Sequence, residues 1–394
     1  MSLLSISHFA ISSTLGHGQA SHWQALRNGC SGLRQLRFDH CDLDCYIGEV
    51  AGLEQPLPAA LNAFDCRNHR LAWLTLQQDS FMQAVNQLRE HHGTARIGVF
   101  IGTSTAGIHS AELAYRDMCK NNAANLPDWF DYRHTQNLFS AAEFVAQALQ
   151  LSGPALCIST ACSSSAKVFA AAYRSMQLGL CDAAIVGGVD SLCLTTLYGF
   201  NSLQLISAEQ CRPADAQRNG ISIGEAAGFA IVEKPDSSAP FNLLGYGESG
   251  DAHHMSSPDP QGRGAAMAMQ RALRRANLHT SDIDYINLHG TGTPANDAAE
   301  DQGVVTLFGN QIPCSSTKGW TGHTLGAAGI LEAAITMLCI EHGFMPQSLN
   351  TLQKDAALQA NILMQSRYQP VTRVLSNSFG FGGSNCSLLL GGAQ

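Results

Sequence analysis

The chain has 394 residues, of which 45% are hydrophobic and 14% charged, a balance that excludes a disordered chain and provides for a large buried core. Its net charge is −8, and no nucleic-acid or membrane partner is expected of it. Thirteen cysteines without a C-x-x-C pair argue against a zinc site and a disulfide framework, and so for a reducing cytoplasm. Met1 to Ile6 lacks a basic leader and a cleavage motif, and no apolar run approaches the roughly 20 residues needed to span a bilayer.

In chain order, the pattern predicts a strand over Arg96 to Gly102, a helix over Ser140 to Gln150, a strand over Ala155 to Ser159, a helix over Ala166 to Leu178 and a strand over Ala183 to Gly187. The rhythm restarts with a strand over Phe241 to Gly245 and a helix over Gly264 to Ala276. A strand over Ile283 to Leu288, a helix near Ala298 to Leu307 and a helix over Ile330 to Ile340 follow. Val371 to Asn377 and Asn385 to Leu390 close the chain as strands around the glycine-rich Phe379 to Gly383 loop. Such alternation implies an α/β protein with mostly parallel or mixed sheets covered by helices. Pro235 to Pro240 is a Pro/Ser-rich joint between the two rhythms, dividing the chain into 1–238 and 239–394.

Cys162 sits between the strand ending near Ser159 and the helix beginning near Ala166. The first N–H groups of a helix lack intrahelical partners and its dipole is positive there, so a thiol at that end is predicted to have a depressed pKa. His289 opens the small-residue loop His289-Gly290-Thr291-Gly292-Thr293-Pro294, and His323 lies in Gly322-His323-Thr324-Leu325-Gly326-Ala327-Ala328-Gly329. Both stand at junctions where α/β folds place reactive groups. Gly245-Tyr246-Gly247-Glu248-Ser249-Gly250 matches a dinucleotide-binding pattern, but Pro258 and Pro260 deny it the helix that must follow. His253 and His254 are adjacent, point apart and lack a second ligand cluster, so no metal is expected.

Together, Cys162 in Thr-Ala-Cys-Ser-Ser-Ser, His289 in His-Gly-Thr-Gly-Thr, Lys318 and His323 in Lys-x-x-x-x-His, and Phe379-Gly380-Phe381-Gly382-Gly383 resemble the elongating β-ketoacyl synthases of fatty-acid and polyketide assembly. Ser159 to Lys167 and Val189 to Cys193 most resemble the ketosynthases of aryl polyene pathways. The resemblance implies the thiolase fold, two similar halves in a five-layer αβαβα arrangement. It implies Cys162, His289 and His323 as catalytic residues, tuned by Lys318 and Glu332. Phe381 would contribute an oxyanion donor, and Phe379 and Phe381 would gate the pocket. Thr291, Thr293, His254 and Ser256 would line the substrate channel.

No bound cofactor is implied, because substrates ride on the phosphopantetheine of an acyl carrier protein. Arg67, Arg70 and Arg212 match positions where the family meets that carrier. A homodimer, or a heterodimer with a homologous subunit, is expected. Relatives carry an aromatic residue where this chain has Ala214, another where it has Ile221, and a smaller residue at Trp320, which bears on substrate shape. Two alternatives remain: a non-catalytic chain-length-factor-like subunit, which would lack the nucleophile, and a thiolase or starter-unit synthase, which would lack the second histidine.

Overall fold

In the computed structural model, which describes residues 3–393, one strand pattern is built twice. The first copy comprises β1 (Leu4–Ser13), β2 (Ile97–Gly102), β3 (Ala155–Ile158), β4 (Ala183–Asp190) and β5 (Ala226–Glu233). The second comprises β6 (Phe241–Gly250), β7 (Tyr285–Asn287), β8 (Pro313–Ser315), the two-residue β9 (Asn361–Ile362), β10 (Arg373–Gly380) and β11 (Ser384–Gly392), of which β9 only extends the sheet beyond β8. Counted by position in each half, both copies have the spatial order 3-2-4-5-1. Both also share one pairing pattern, parallel from third strand to second and second to fourth, then antiparallel to the fifth and on to the first. Leu4–Ile6 pairs antiparallel with Phe241–Leu243, which joins the halves edge to edge into one twelve-stranded sheet, its twelfth strand the two-residue Gly16–His17 paired with β1.

Three apolar layers follow from this duplication. Helices α1 (Arg67–Leu76) and α2 (Ser140–Ala148) cover the outer face of the first half with residues such as Leu71, Leu76 and Phe144. Helix α3 (Ser164–Gln177) lies in the middle. Helices α4 (Arg263–Ala276) and α5 (Pro294–Phe308) cover the outer face of the second half. Helix α6 (Ala328–His342) joins α3 in the middle layer, where Phe169, Ala172, Ile330 and Leu338 meet the inner faces of both halves. This is the five-layer arrangement that the resemblance implied. The 18-residue stretch Leu325–His342 has a mean hydropathy of 1.4 and is apolar enough to cross a membrane, yet 83% of it is buried inside the protein as this central helix.

Besides Gly16–His17, four strands of the sheet were not legible from pattern: the short β8 and β9, and the long β1 and β5. In β1 the apolar residues fall at 4 and 6, then at 9 and 11, out of phase by one. A register shift between Ile6 and His8 absorbs the extra residue and returns Phe9 and Ile11 to the core. The central strand β5, Ala-Ala-Gly-Phe-Ala-Ile-Val-Glu, is buried on both faces and shows no alternation. The Gly245–Gly250 motif lies within β6 and serves packing. A Cβ on Gly247 would lie 1.8 Å from the Ala268 carbonyl, so its glycines let α4 press onto the strand.

The crossing of the two central helices sets the site. A Cβ on Gly329 would lie 2.4 Å from the Ala166 nitrogen, so the N-terminal ends of α3 and α6 touch backbone to backbone. Any side chain there must push the helices apart. Gly329→Ala is expected to lower stability by about 3 kcal/mol, the upper range for overpacking, and to cut activity more steeply than stability. Urea denaturation and turnover measured on the same sample check this; an unchanged midpoint and rate would contradict it.

Candidate active site

Cys162 follows β3 through a tight elbow in which Ala161 adopts φ +51°, a left-handed conformation costly for a residue with a side chain. The elbow turns the thiol toward the second half, where His323 Nε2 lies 3.0 Å from Cys162 Sγ. The two imidazoles meet edge to face with centroids 5.2 Å apart. All three side chains are buried. The Phe381 N–H lies near the Cys162 sulfur, where it favours the thiolate.

The thiol is not shifted in the expected direction. Burial pushes Cys162 up to about 11, against the opposing pull of the Lys318 ammonium and the Phe381 N–H. Two N–H groups at the helix start are turned into the elbow: Ser163 N donates to Thr160 O and Ser164 N to Ala161 O. These two donors are not offered to the thiol. Burial also drives His323 and His289 well below the ordinary histidine value, assisted in both by the Lys318 charge. The resting site is a neutral thiol beside neutral imidazoles, so activation falls to proton transfer across the Sγ–Nε2 contact.

Lys318 and Glu332 meet beside His289. The buried Lys318 ammonium donates to Glu332 Oε1 at 2.5 Å, to the His289 carbonyl at 2.5 Å and to His289 Nδ1 at 3.2 Å. Because Nδ1 accepts, the proton of neutral His289 sits on Nε2, facing the cleft. Burial raises Glu332 to about 7 against the pull of Lys318.

Three supporting carboxylates were missed. Glu300 accepts from the His289 and Gly290 N–H groups and from Asn377, and burial raises it to about 7. Asp297 holds Gly292 N and Ala214 N and pairs with Arg218. Asp190 takes hydrogen bonds from Thr103, Ser104 and Thr105 and from Gly326 N, tying the end of β2 to the loop before α6. Asp297, Glu300 and Asp301 fall on one face of α5, which was a readable signal, but an acidic face reads as solvated until its neighbours are known.

A cleft of about 120 Å³ opens above the thiol. Its walls include Cys162, Phe200, Ile221, Ser256, His289, Thr291, Thr293, His323, Phe379 and Phe381. The Thr291 and Thr293 hydroxyls lie 2.9 Å apart within it. Phe381 packs on Phe200, and Phe379 on His289. His254 is a correction: it stands exposed outside the lining, with its Nδ1 accepting from Ser256 N. Trp320 is another, since it is fully buried in the central core and donates to Gln347 O, away from the cleft. Ala214 lies behind the His289 loop beside a void of about 20 Å³, whereas Ile221 does line the cleft.

The three arginines expected to meet the carrier are each paired within the chain. Arg67 spends its guanidinium on buried Glu225 at 2.5 Å and lies over the Phe38 ring. Arg70 is forked onto Asp65 and also donates to the Leu53 carbonyl. Arg212 pairs with Glu209 at 2.5 Å and is largely buried. Each of the three is ion-paired: Arg67 with Glu225, far away in sequence, but Arg70 with Asp65 and Arg212 with Glu209, both close in sequence. Cys162, His289 and His323 present ligand atoms within 4.8 Å of one another, a set that could hold a soft metal ion. A second cluster of Asp39, His109 and Glu112 is committed elsewhere, Asp39 to Arg116 and Glu112 to the start of the helix Leu194–Ser202.

Known proteins resemble this chain over its length. Residues 6–237 match the N-terminal domain family of β-ketoacyl synthases and residues 241–352 the C-terminal one. The chain is 30% identical to 3-oxoacyl-[acyl-carrier-protein] synthase 2 of Vibrio cholerae, with 96% of each covered. Its fold is similar to that of the ketosynthase ApeO, solved in complex with its chain length factor ApeC from Xenorhabdus doucetiae (TM-score 0.92, 38% identity, 99% and 98% covered). It is also similar to the ishigamide ketosynthase/chain length factor (TM-score 0.89, 26% identity, 99% of each covered).

With the Cys162 thiol raised to about 11, its alkylation by iodoacetamide should climb across pH 7 to 9 without a plateau, about tenfold per unit. His323→Ala should slow labelling at pH 7 by at least tenfold, an order-of-magnitude expectation for removing a positioned base. A plateau near pH 7 in the wild type would mean a thiolate at rest.

Proposed function

The chain belongs to the β-ketoacyl synthase family, and we propose that it extends fatty-acid or polyketide chains by decarboxylative Claisen condensation of an acyl thioester with a malonyl group on an acyl carrier protein. The observation that carries this reading is the thiol–imidazole contact of 3.0 Å in a cleft whose second imidazole is held by a buried lysine.

Loading comes first. The Cys162 thiol gives its proton to His323 Nε2 and its sulfur attacks the acyl thioester carbon. The oxyanion sits between the N–H groups of Cys162 and Phe381. Collapse transfers the acyl group to sulfur, and the departing pantetheine thiolate takes the proton back from His323. Malonyl thioester then enters and loses carbon dioxide. The electron pair of the broken bond becomes an enolate, whose oxygen receives a hydrogen bond from His289 Nε2–H. The enolate carbon attacks the Cys162 thioester, and the expelled Cys162 thiolate regains a proton from solvent through His323. Thr291 and Thr293 hold the pantetheine arm, and Phe379 and Phe381 gate the pocket.

The two histidines thus take separate roles. His323 moves the thiol proton; His289 stabilises the enolate. Neutral imidazoles suit this step, because they do not stabilise the malonyl carboxylate by ion pairing before it leaves.

The partner reading rests on an open edge. Strand β3 ends the twelve-stranded sheet, and Leu156 on it is 48% exposed. An apolar, unpaired edge strand is a template for a second chain. The cleft of about 120 Å³ is also small beside ordinary ligand pockets of roughly 300 Å³ or more. A homologous subunit on the β3 edge, supplying further wall, accounts for both. Both solved relatives named above are ketosynthases with a chain length factor. The resemblance in Ser159 to Lys167 and Val189 to Cys193 supports an aryl polyene pathway, and thirteen free cysteines support a cytoplasmic setting. The thiol nucleophile itself counts against a non-catalytic subunit.

His289→Ala should still form the acyl adduct on Cys162 yet lose malonyl decarboxylation by about a hundredfold or more. His323→Ala should slow adduct formation, and Cys162→Ala should lose condensation while retaining decarboxylation. Carbon dioxide release and adduct mass, followed in parallel, check all three; normal decarboxylation in His289→Ala would remove its role.

A further inference from the structure

The three reactive side chains also form a donor set that the proposed reaction does not use. Cys162 Sγ and one ring nitrogen each from His289 and His323 lie within 4.8 Å of one another, and all three residues are buried. A sulfur and two imidazoles are the soft and borderline donors that hold zinc. Around a tetrahedral zinc, with bonds of about 2.3 Å to sulfur and about 2.0 Å to nitrogen, the ligand atoms stand roughly 3.3 to 3.6 Å apart. The Sγ–Nε2 contact of 3.0 Å is already close to that spacing, so small side-chain adjustments would close the set. The cleft above the thiol leaves a fourth position open. Zinc seated there would occupy the sulfur that must take the acyl group.

One neighbour opposes it. A zinc-bound imidazole offers a bare ring nitrogen and carries its proton on the other, directed at an acceptor. At His289 that polarity is reversed: Nδ1 faces the Lys318 ammonium at 3.2 Å, and an ammonium only donates. The His289 proton is thereby held on Nε2, the nitrogen that the metal would need. Moving it to Nδ1 would set N–H against N–H. Lys318 has no freedom to turn away, because it also donates to Glu332 Oε1 and to the His289 carbonyl and is only 1% exposed. Its fixed charge, offset in part by Glu332, repels a second cation as well. With His289 withheld, Cys162 and His323 remain, one ligand short of the three that hold a zinc with an open position.

We propose that Cys162, His289 and His323 are a latent zinc site and that Lys318 keeps it closed, so that the nucleophile stays free where zinc is present. The inference rests on the geometry of these four side chains and not on the reaction proposed above. Closing the site would form bonds from the sulfur and two ring nitrogens to the metal and pass the thiol proton to water, with no change of oxidation state.

The test follows Cys162 alone among the thirteen cysteines, by the rate at which iodoacetamide labels its peptide in the full chain, read by mass spectrometry after digestion. In the wild type, equimolar Zn2+ should leave that rate unchanged. In Lys318→Met, half-protection of Cys162 should need at least about tenfold less zinc than in the wild type, the range by which outer-shell partners shift metal affinity. With Co2+ in place of Zn2+, Lys318→Met should gain a thiolate-to-cobalt charge-transfer absorption that Lys318→Met/Cys162→Ser lacks. Because Lys318→Met leaves Glu332 buried without its partner, Lys318→Met/Glu332→Gln, which removes both charges, is measured beside it along with the melting temperature of each. Protection of wild-type Cys162 by equimolar zinc overturns the proposal, whatever the variants do. So does a folded Lys318 variant whose Cys162 zinc protects no better than the wild type's.

Discussion

The Lys318 ammonium, buried at the meeting of the two halves, is the interaction on which the site depends. Removing a charge from water costs several kcal/mol unless every proton finds an acceptor. Here three protons find three acceptors: a carboxylate of α6, the carbonyl of His289 and that residue's ring nitrogen. Satisfying the charge thus fixes the orientation and tautomer of His289. The same charge helps to keep both imidazoles neutral and draws the thiol down against burial. One buried cation sets the protonation of the whole site.

That arrangement requires two halves to meet closely. The nucleophile precedes α3 and His323 precedes α6, equivalent central helices of the two copies of one strand pattern. Their contact at Gly329 and Ala166 is what brings sulfur and imidazole to 3.0 Å. Asp190 and Glu300 then pin the loops from each half with several hydrogen bonds apiece. The outer layers bury core, α1 and α2 in the first half and α4 and α5 in the second.

The residues that do chemistry were legible because chemistry demands unusual local sequence. Small residues crowd Cys162, His289 and His323, and these motifs stood out against fifteen histidines and thirteen cysteines. The alternation of strand and helix was legible too. What pattern could not show was partnership in space. The pairing of Arg67 with Glu225 depends on residues distant in the chain, while the left-handed Ala161, the donors turned inward by the elbow and the pairing of Arg70 with Asp65 and of Arg212 with Glu209 depend on a local geometry that periodicity does not report. The thiol was read as activated by its helix because spacing reveals the helix but not who uses its N–H groups. Trp320 was read as bearing on substrate shape because relatives carry a smaller residue there, whereas its ring is buried in the core.

The central claim is that Cys162 carries the growing chain and that His289 licenses its extension. It is tested most directly by mass spectrometry of intact and digested protein, incubated first with an acyl-loaded carrier and then with a malonyl-loaded one. The account predicts an acyl mass on the peptide containing Cys162 that disappears on the second addition, as a 3-oxoacyl carrier longer by two carbons appears. An acyl group on another residue, or an adduct on Cys162 that malonyl carrier never discharges, would contradict it.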